Sequence, residues 1–275
     1  MYEGRADVAE GLLGPALPWA AELRGHVGHA KAGRPTGQTG QTGQTATLGT
    51  LVPQDALPAP SPVHPVGDQL AAAVRSVRGL GRREARAIAV AALDRVGIPD
   101  AARRARAHPH EHSGGMRQRA VVAMATINEP DILVADGPTT ALDTDHRELV
   151  LQLLAEQRES RGTALVPVTH DMDAVRRHAH RALVMYAGRA VETGPAREVL
   201  AHPRAPYTAG LLASLPENAR RRRPVALPRS PPAPHALPHG CAFAPRCPLA
   251  ADVCHHEEPE PTGERSVACH HGEKL

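Results

Sequence analysis

Two stretches after Pro65 carry apolar residues at helical spacing. The first contains Val66, Leu70, Val74 and Val77. The second contains Ala85, Ile88, Ala89, Ala92, Leu93 and Val96. Because residues three and four positions apart share one face of a helix, each stretch predicts an amphipathic helix. Pro99 marks the end of the second helix, because proline lacks the N–H that would continue it. Together they predict a helical subdomain over about residues 63–127.

Three later apolar runs are too short for helices and lie at residues 132–135, 163–168 and 182–186. Helical patterns separate them, near residues 149–154 and 173–178. An alternation of strand and helix predicts a parallel sheet that helices cover on both faces. The sequence therefore predicts an α/β fold.

Two segments interrupt these patterns. Residues 36–44 repeat the triplet Thr-Gly-Gln, which cannot bury enough apolar surface to order itself, so we expect a flexible loop there. Residues 224–238 are rich in proline and predict a connector at a domain boundary. The arginines at 220–223, beside this connector, are typical of a solvated linker.

The composition narrows the class of protein. The chain has 275 residues, of which 41% are hydrophobic and 22% are charged, which is enough for a buried core. No apolar run approaches the roughly 20 residues that cross a bilayer, and the N-terminus lacks the layout of a signal peptide. We therefore expect a cytoplasmic protein. A net charge of +3 gives no reason to expect nucleic acid as a partner.

Two short patterns have the chemistry of a phosphate and metal site. Ser113-Gly114-Gly115 precedes a helix-forming run, so the serine can cap the helix while the glycines let backbone N–H groups approach an anion. Asp136 ends an apolar strand, where a carboxylate can enter the shell of a magnesium ion. Taken alone, Ser-Gly-Gly is more often a plain helix cap, and an aspartate at this position is also found at ordinary strand ends.

Four motifs follow one another in a fixed order. They are Ser113-Gly114-Gly115-Met116-Arg117-Gln118-Arg119, Ile132-Leu133-Val134-Ala135-Asp136, Thr140-Ala141-Leu142-Asp143 and Val168-Thr169-His170-Asp171. In this order and spacing they resemble the ATP-binding subunits of ABC transporters, and in wording those of dipeptide and oligopeptide importers. The resemblance runs from about Gln54 to the last cysteine. It implies a P-loop NTPase-like domain over residues 1–202, with a parallel sheet and a helical subdomain, and a cysteine-containing C-terminal extension over residues 203–275.

The resemblance assigns roles to the first three motifs. Ser113, Gly114 and Gly115 match the family's signature motif, which contacts the γ-phosphate of ATP held by the opposite subunit. Asp136 matches the strand-end aspartate of the magnesium shell, and Asp143 matches the D-loop. The cofactors implied are ATP and Mg²⁺.

Two further positions match family residues that respond to the bound nucleotide. His170 matches the family's switch histidine, which senses the γ-phosphate. Gln54, within Val52-Pro53-Gln54-Asp55, matches the Q-loop, which links the nucleotide to the transmembrane partner.

Three features depart from the family's pattern. Gly137 stands where the family has the glutamate that polarises the attacking water, and glycine cannot accept that proton. His112 stands where the family usually has leucine. The phosphate-binding loop Gly-x-x-x-x-Gly-Lys-[Ser/Thr] does not occur, and its nearest match begins at Gly4, with Arg5 in place of the lysine and Ala6 in place of the hydroxyl residue. An eroded subunit, a fragment, or a start placed too far downstream would each explain this N-terminus.

All four cysteines lie in the extension, at Cys241, Cys247, Cys254 and Cys269. In a cytosolic chain such clustering favours a metal over disulfides. The surrounding sequence resembles the extension of peptide-importer ATPases, some of which carry a [4Fe–4S] cluster. Four thiolates suit iron–sulfur and zinc equally, and the alternative is a set of reduced cysteines in a mobile tail.

These observations predict the ATP-binding subunit of a di- or oligopeptide importer. Its partners would be a second ABC ATPase subunit, as a heterodimer, and transmembrane permease subunits, at the cytoplasmic face of the plasma membrane. Without the loop lysine and the catalytic glutamate, its own site is expected to be impaired while its signature motif serves the partner. The alternative is a non-catalytic regulatory or interaction protein, or an eroded remnant of such a subunit.

Overall fold

A computed structural model of the chain describes residues 49–56, 58–140, 142–215, 227–233, 235–263 and 265–272. Within these residues the chain forms two compact units, which divide between Met172 and Asp173. The loop predicted at residues 36–44 lies outside the described residues, and so do Gly4, Arg5 and Ala6. The domain boundary predicted after residue 202 stays a prediction.

The first unit is built on a three-stranded parallel sheet. Its strands are β1 (Gly49–Val52), β2 (Ile132–Asp136) and β3 (Ala164–Val168), in that order across the sheet. β2 and β3 confirm two of the predicted strands. β1 was not predicted, because four residues that begin with glycine show neither an alternation nor a long apolar run. Leu133 and Ala135 of the central strand β2 are fully buried.

The helices described in this unit are α1 (Val66–Arg78), α2 (Arg82–Arg95), α3 (Ala101–Arg104), α4 (Gly114–Thr126) and α5 (Thr144–Arg161). The two predicted amphipathic helices are confirmed as α1 and α2, whose apolar faces bury Leu70 and Leu93 completely, whereas the bounds of the helical subdomain stay a prediction. Val77 shares the helical spacing of these residues but is 51% exposed. It lies in the last turn of α1, beyond the part of the helix that its neighbours cover.

α4 and α5 connect the helical subdomain to the sheet. α4 packs against β1, where the Thr50 hydroxyl donates to the Ala125 carbonyl at 2.9 Å. α5 packs against β3 and ends at Gly162, whose φ of +70° is the left-handed conformation typical of a helix C-terminus. Both helices therefore hold fixed positions relative to the strand ends.

The second unit contains an antiparallel sheet. Its described strands are β4 (Arg181–Tyr186), β5 (Arg189–Pro195), β6 (Pro261–Thr262) and β7 (Val267–Ala268), in the order β4-β5-β7-β6. The prediction that residues 182–186 extend the parallel sheet is wrong, because β4 forms a hairpin with β5. Ala187 and Gly188 connect the two strands with φ of 50° and 79°, as a type I′ turn requires. Alanine rarely adopts such a φ, so an Ala-Gly pair is a weak indication of a hairpin.

The described helices that follow the parallel sheet are α6 (Met172–His178), α7 (Ala196–Ala201), α8 (Pro206–Ala213) and α9 (Asp252–His256). Within the part of the chain that the structure describes, no helix is both long enough and apolar enough to cross a bilayer.

A buried ion pair holds the second unit together. Glu192 in β5 is fully buried, and its carboxylate accepts hydrogen bonds from the Arg265 guanidinium and from the backbone N–H groups of Arg204 at 3.0 Å and Ala205 at 3.1 Å. Leaving this buried carboxylate without its partners would lower the free energy of unfolding by about 3–5 kcal/mol. These donors therefore fix the segment before β7 and the start of α8 to β5.

Candidate functional site

The carboxyl edge of the parallel sheet brings together residues from three separate motifs. Gln54 follows β1, Asp136 ends β2, and His170 follows β3. Asp136 pairs in the sheet with Val168, two residues before His170. Gln54 and His170 are exposed, and Asp136 is half-buried. Ligands of parallel α/β sheets bind outside the carboxyl ends of the strands, so this edge is the candidate nucleotide site.

Gly137 turns the chain sharply after β2. Its φ of +54° lies in the left-handed region, and its N–H donates to the Val168 carbonyl at 2.9 Å. The Thr140 hydroxyl donates to the Gly137 carbonyl at 3.0 Å and closes the turn. A Cβ added to Gly137 would lie 2.7 Å from Thr140 Oγ1 and 3.6 Å from Gln54 Cγ. Thr140 and Gln54 therefore fill the space around the position of the expected glutamate.

Ser113 caps α4. Its Oγ accepts the N–H of Met116 at 3.3 Å, and both Ser113 and Gly114 are exposed. Further along the helix, the Gln118 amide donates to the Pro138 carbonyl at 3.2 Å. Because a helix rises about 1.5 Å per residue, Ser113 lies roughly 7–8 Å along the helix from Gln118. The signature turn therefore stands apart from the contact that holds α4 to the turn after β2.

Asp143 is the N-cap of α5. Its carboxylate accepts the N–H of His146 at 3.0 Å and lies 2.7 Å from His146 Nδ1. These hydrogen bonds, followed by the charge of Arg119, hold the pKa of Asp143 below its usual value. The carboxylate therefore stays ionised while it caps the helix.

His112, in the position where leucine was expected, is buried at 3% exposure. Its Nε2 lies 3.2 Å from the Arg104 carbonyl, whereas Nδ1 has no hydrogen-bond partner in the described part of the chain. Burial lowers the pKa of His112 below its usual value, more than the Arg104 hydrogen bond raises it. The charges of Arg104 and Arg117 lower the pKa further, and that of Glu111 raises it. A neutral imidazole therefore lies one residue before the signature serine.

The four cysteines surround one cavity of the second unit and are free thiols. Burial raises the pKa of Cys241, Cys247 and Cys269, so these thiols are protonated near neutral pH. Cys254 Sγ lies 3.8 Å from His271 Nε2, and Cys269 Sγ accepts the His271 N–H at 3.3 Å. Among the described residues, no three His, Cys, Asp or Glu side chains converge closely enough to hold a single metal ion.

Aromatic rings form one wall of the same cavity. The ring centroids of Tyr186, Tyr207 and Phe243 lie 4.6 to 5.4 Å apart. The Arg246 guanidinium lies over the Tyr186 ring and donates to its hydroxyl at 3.1 Å. The thiols are therefore bordered by an apolar surface on this side.

Sequence reasoning gave no role to two residues of this geometry. Thr140 closes the turn at Gly137, and Arg119 is a buried cation in α4. Both lie inside the quoted motifs, but neither role has a sequence pattern, because each depends on where the backbone carbonyls point. Gly4 and Arg5 lie outside the described residues, so the structure does not place the nearest match to the phosphate-binding loop.

Two family models match the chain. One is described as ABC transporter and matches residues 25–140, which include Gln54, the signature motif and Asp136. The other is described as the oligopeptide/dipeptide transporter C-terminal region and matches residues 191–254, which include three of the four cysteines. Together they define the class of protein as an ABC-type ATP-binding domain followed by a peptide-transporter C-terminal region.

Individual relatives agree with this class. A Brucella melitensis protein with the provisional name of peptide import ATP-binding protein is 47% identical over 82% of this chain and 68% of its own length. The oligopeptide transport ATP-binding protein OppD of Mycobacterium tuberculosis is 46% identical over 78% of this chain and 35% of its own. The dipeptide transport ATP-binding protein DppD of Escherichia coli is 43% identical over 75% of this chain and 63% of its own length. The chain therefore belongs to the family of ATP-binding proteins of peptide ABC transporters, and it spans about one third to two thirds of these relatives.

Solved structures support the same fold. A dimeric ATP-binding cassette in a post-hydrolysis state, bound to ADP and Pi, is 29% identical with a TM-score of 0.50. The match covers 55% of this chain and 64% of that one. The expected ABC ATPase fold is therefore confirmed.

Replacing His112 by leucine should reduce the loss of stability in mild acid. The folded-state pKa lies below the usual 6.5, so the unfolded chain binds more protons once the pH falls below that value. The stability associated with neutral His112 is complete above pH 6.5 and declines as the pH falls towards the folded-state pKa. We expect the melting temperature to drop less in His112→Leu than in wild type between about pH 7.5 and about pH 5.5. His110→Leu, at an exposed position, is the control, and equal drops in wild type and His112→Leu would contradict the prediction.

Replacing Gly137 by alanine should destabilise the first unit more than the same change at Gly162. Both glycines have left-handed φ, which costs an L-residue about 1–2 kcal/mol, but only Gly137 has an atom within contact distance of the added Cβ. Thr140 must rotate away and lose a hydrogen bond of about 0.5–1.5 kcal/mol. Urea unfolding of both variants measures this difference. In a Thr140→Ala background the two costs should become similar, and an unchanged difference there would show that Thr140 is not its cause.

Proposed function

We propose that the protein is the ATP-binding subunit of a peptide importer, that its own ATP site is impaired, and that its signature motif completes the site of a partner ATPase subunit. The contrast between two turns carries this proposal. The signature turn at Ser113 is exposed at the start of a 13-residue helix, whereas the turn at Gly137 lacks a carboxylate and is closed by Thr140. The other partners would be transmembrane permease subunits, at the cytoplasmic face of the plasma membrane.

In its own site the protein would bind ATP and Mg²⁺ but hydrolyse ATP slowly. Asp136 would enter the magnesium shell, Gln54 would lie beside it, and His170 would contact the γ-phosphate. General-base catalysis by a carboxylate contributes about 10²–10⁴-fold, and Gly137 cannot supply it. The Thr140 hydroxyl beside Gly137 can orient a water molecule but is not a base near neutral pH. Arg5 and Ala6 in place of the loop lysine and hydroxyl would weaken phosphate binding further.

The signature turn keeps the properties that an anion site requires. The first N–H groups of a helix have no partner within the helix, and the helix dipole places a partial positive charge there. Ser113 binds the N–H of Met116, so the N–H groups of Gly114 and Gly115 precede the one that the cap satisfies. Neither glycine has a side chain to block a phosphate. A partner's ATP could therefore approach this turn closely.

ATP turnover should depend on the signature turn only in a complex with the partner subunits. The isolated protein should turn over ATP well below the rate of about 1 s⁻¹ that marks the low end of typical enzymes. In a complex assembled with the partner ATPase and the permease subunits, Gly115→Arg should lower turnover at least about a hundredfold, because the side chain blocks donors to the phosphate. Gly81→Arg is the matched control, since Gly81 is the exposed N-cap of α2.

The competing hypotheses for this protein predict different results. Turnover at ordinary rates by the isolated protein would contradict an impaired site. A complex whose turnover is unchanged by Gly115→Arg would favour a non-catalytic regulatory protein. Failure of the purified chain to show a cooperative unfolding transition would favour an eroded remnant.

We further propose that the cysteine cavity holds a [4Fe–4S] cluster. The sulfur donors fit such a cluster in softness and in number. Each thiolate can bind one of its four irons, and the donors are Cys241, Cys247, Cys254 and Cys269. The four thiols border one cavity of the second unit, and the resemblance to peptide-importer ATPases favours a cluster over one zinc ion. The cluster would supply cross-links between segments of the extension, and binding would release the protons that the thiols carry. Its role would be structural.

Anaerobic purification should give a brown protein with about four iron atoms per chain. Cys254→Ser should lower the iron content and the melting temperature, because Cys254 is the buried member of the set. His255→Ala is the control at the adjacent exposed position. About one zinc atom per chain would show that the site holds zinc and not a cluster. Four thiols that alkylate freely in a protein without metal would exclude both.

A further inference from the structure

Arg119 is a buried cation in the first half of α4, only 5% exposed. Its guanidinium has therefore lost most of its contact with water. Nε donates to the Gly115 carbonyl at 3.2 Å, and Nη1 donates to the carbonyls of Val96, at 3.3 Å, and Gly97. Three backbone carbonyls thus replace water around this side chain.

Two of these carbonyls belong to the end of α2. There the chain forms a Schellman motif, in which the Ile98 N–H donates to the Leu93 carbonyl at 3.1 Å and the Gly97 N–H donates to the Asp94 carbonyl at 2.8 Å. The carbonyls of Val96 and Gly97 lie beyond those bonds and are available to Arg119. They are at the negative end of the α2 dipole, which favours a cation.

The contact is close and is not an ion pair. A Cβ on Gly97 would lie 3.2 Å from Arg119 Nη1 and 2.6 Å from Leu149 Cδ2. Burial lowers the pKa of Arg119, and the charge of Asp143 acts in the opposite direction. The hydrogen bonds that hold the guanidinium in place go to the backbone of α2 and α4, so its position depends on how these two helices lie together.

We propose that Arg119 is the positioning residue of the signature turn, which it holds against the end of α2. The inference rests on the proposed function, in which that turn contacts the ATP of a partner subunit. Gly115, whose carbonyl Arg119 binds, is the last residue of the Ser-Gly-Gly turn. This link ties the turn to the end of the neighbouring helix α2.

Arg78 provides a matched control at the other end of α4. Its Nη2 donates to the carbonyl of Ile127, the C-cap of α4, at 2.6 Å, and it pairs with Glu129 at 3.5 Å. Arg78→Met and Arg119→Met therefore each remove an arginine–carbonyl bond from one end of the same helix. If both arginines serve only to stabilise the fold, the two variants should have the same effect on ATP turnover, even where their melting temperatures differ.

The first test is amide hydrogen exchange in the isolated protein. Exchange at residues 116–119 should be at least about tenfold faster in Arg119→Met than in wild type, because the first turn of α4 loses its attachment. Arg78→Met should leave this exchange unchanged. Arg119→Lys should be intermediate, since a lysine keeps the charge but lacks the planar fork. Wild-type exchange in Arg119→Met would overturn the proposal without reference to any partner.

The second test is ATP turnover in the assembled transporter complex. In Arg119→Met we expect kcat to fall about tenfold or more while KM for ATP stays within about twofold, since misplacement of the turn affects the reaction more than binding. Arg78→Met should keep the wild-type kcat. A normal kcat in Arg119→Met, in a complex that Gly115→Arg inactivates, would overturn this inference alone. If Gly115→Arg itself has no effect, the proposed function and the inference both fall.

Discussion

The parallel register of β1, β2 and β3 is the constraint on which the candidate nucleotide site depends. Val52 pairs with Ala135, and Ala135 pairs with Pro167, so the chain leaves all three strands at the same edge. Gln54 and His170 reach that edge from strands that do not pair with one another. A shift of one residue in β2 would move each of its side chains to the opposite face of the sheet, where it would meet different neighbours.

α4 relates the helical subdomain to this edge. At its C-terminal end it is bound by Thr50 of β1 and by Arg78 of α1. Towards its N-terminal end, Gln118 binds the carbonyl of Pro138, and Arg119 binds the end of α2. A helix buried on most sides and attached at both ends cannot shift without moving its neighbours. The signature turn is therefore placed by the packing of the whole unit.

The sequence predicted those features that repeat along the chain. The helical spacing through Leu70 and Leu93 identified α1 and α2, and a short apolar run identified β2. It did not identify β1 or the hairpin from β4 to β5, because one is short and the other turns through an alanine at positive φ. Val77 follows the helical pattern and is nevertheless exposed, because periodicity does not show where a neighbouring helix ends.

The sequence predicts which residues form the candidate site but not the backbone conformation between them. The motifs identified Gln54, Asp136 and His170, and the parallel sheet places them on one edge. The sequence also showed that a glycine replaces the expected glutamate, but it could not show that Gly137 has a left-handed φ or that Thr140 closes the turn. Such features depend on backbone angles, which a single residue identity does not determine.

The two turns that matter for the function are held by different contacts. Gly137 is tied to the end of β3 through the Val168 carbonyl, whereas the signature turn is tied to the end of α2 through Arg119. α4 meets the turn after β2 through the hydrogen bond from Gln118 to the Pro138 carbonyl, which lies beyond the signature turn along the helix. The hydrogen bonds of Ser113 and Gly115 do not involve Gly137. A subunit that contributes a turn to a neighbour's site can thus lose its own hydrolytic residue and still fold with the other turn in place.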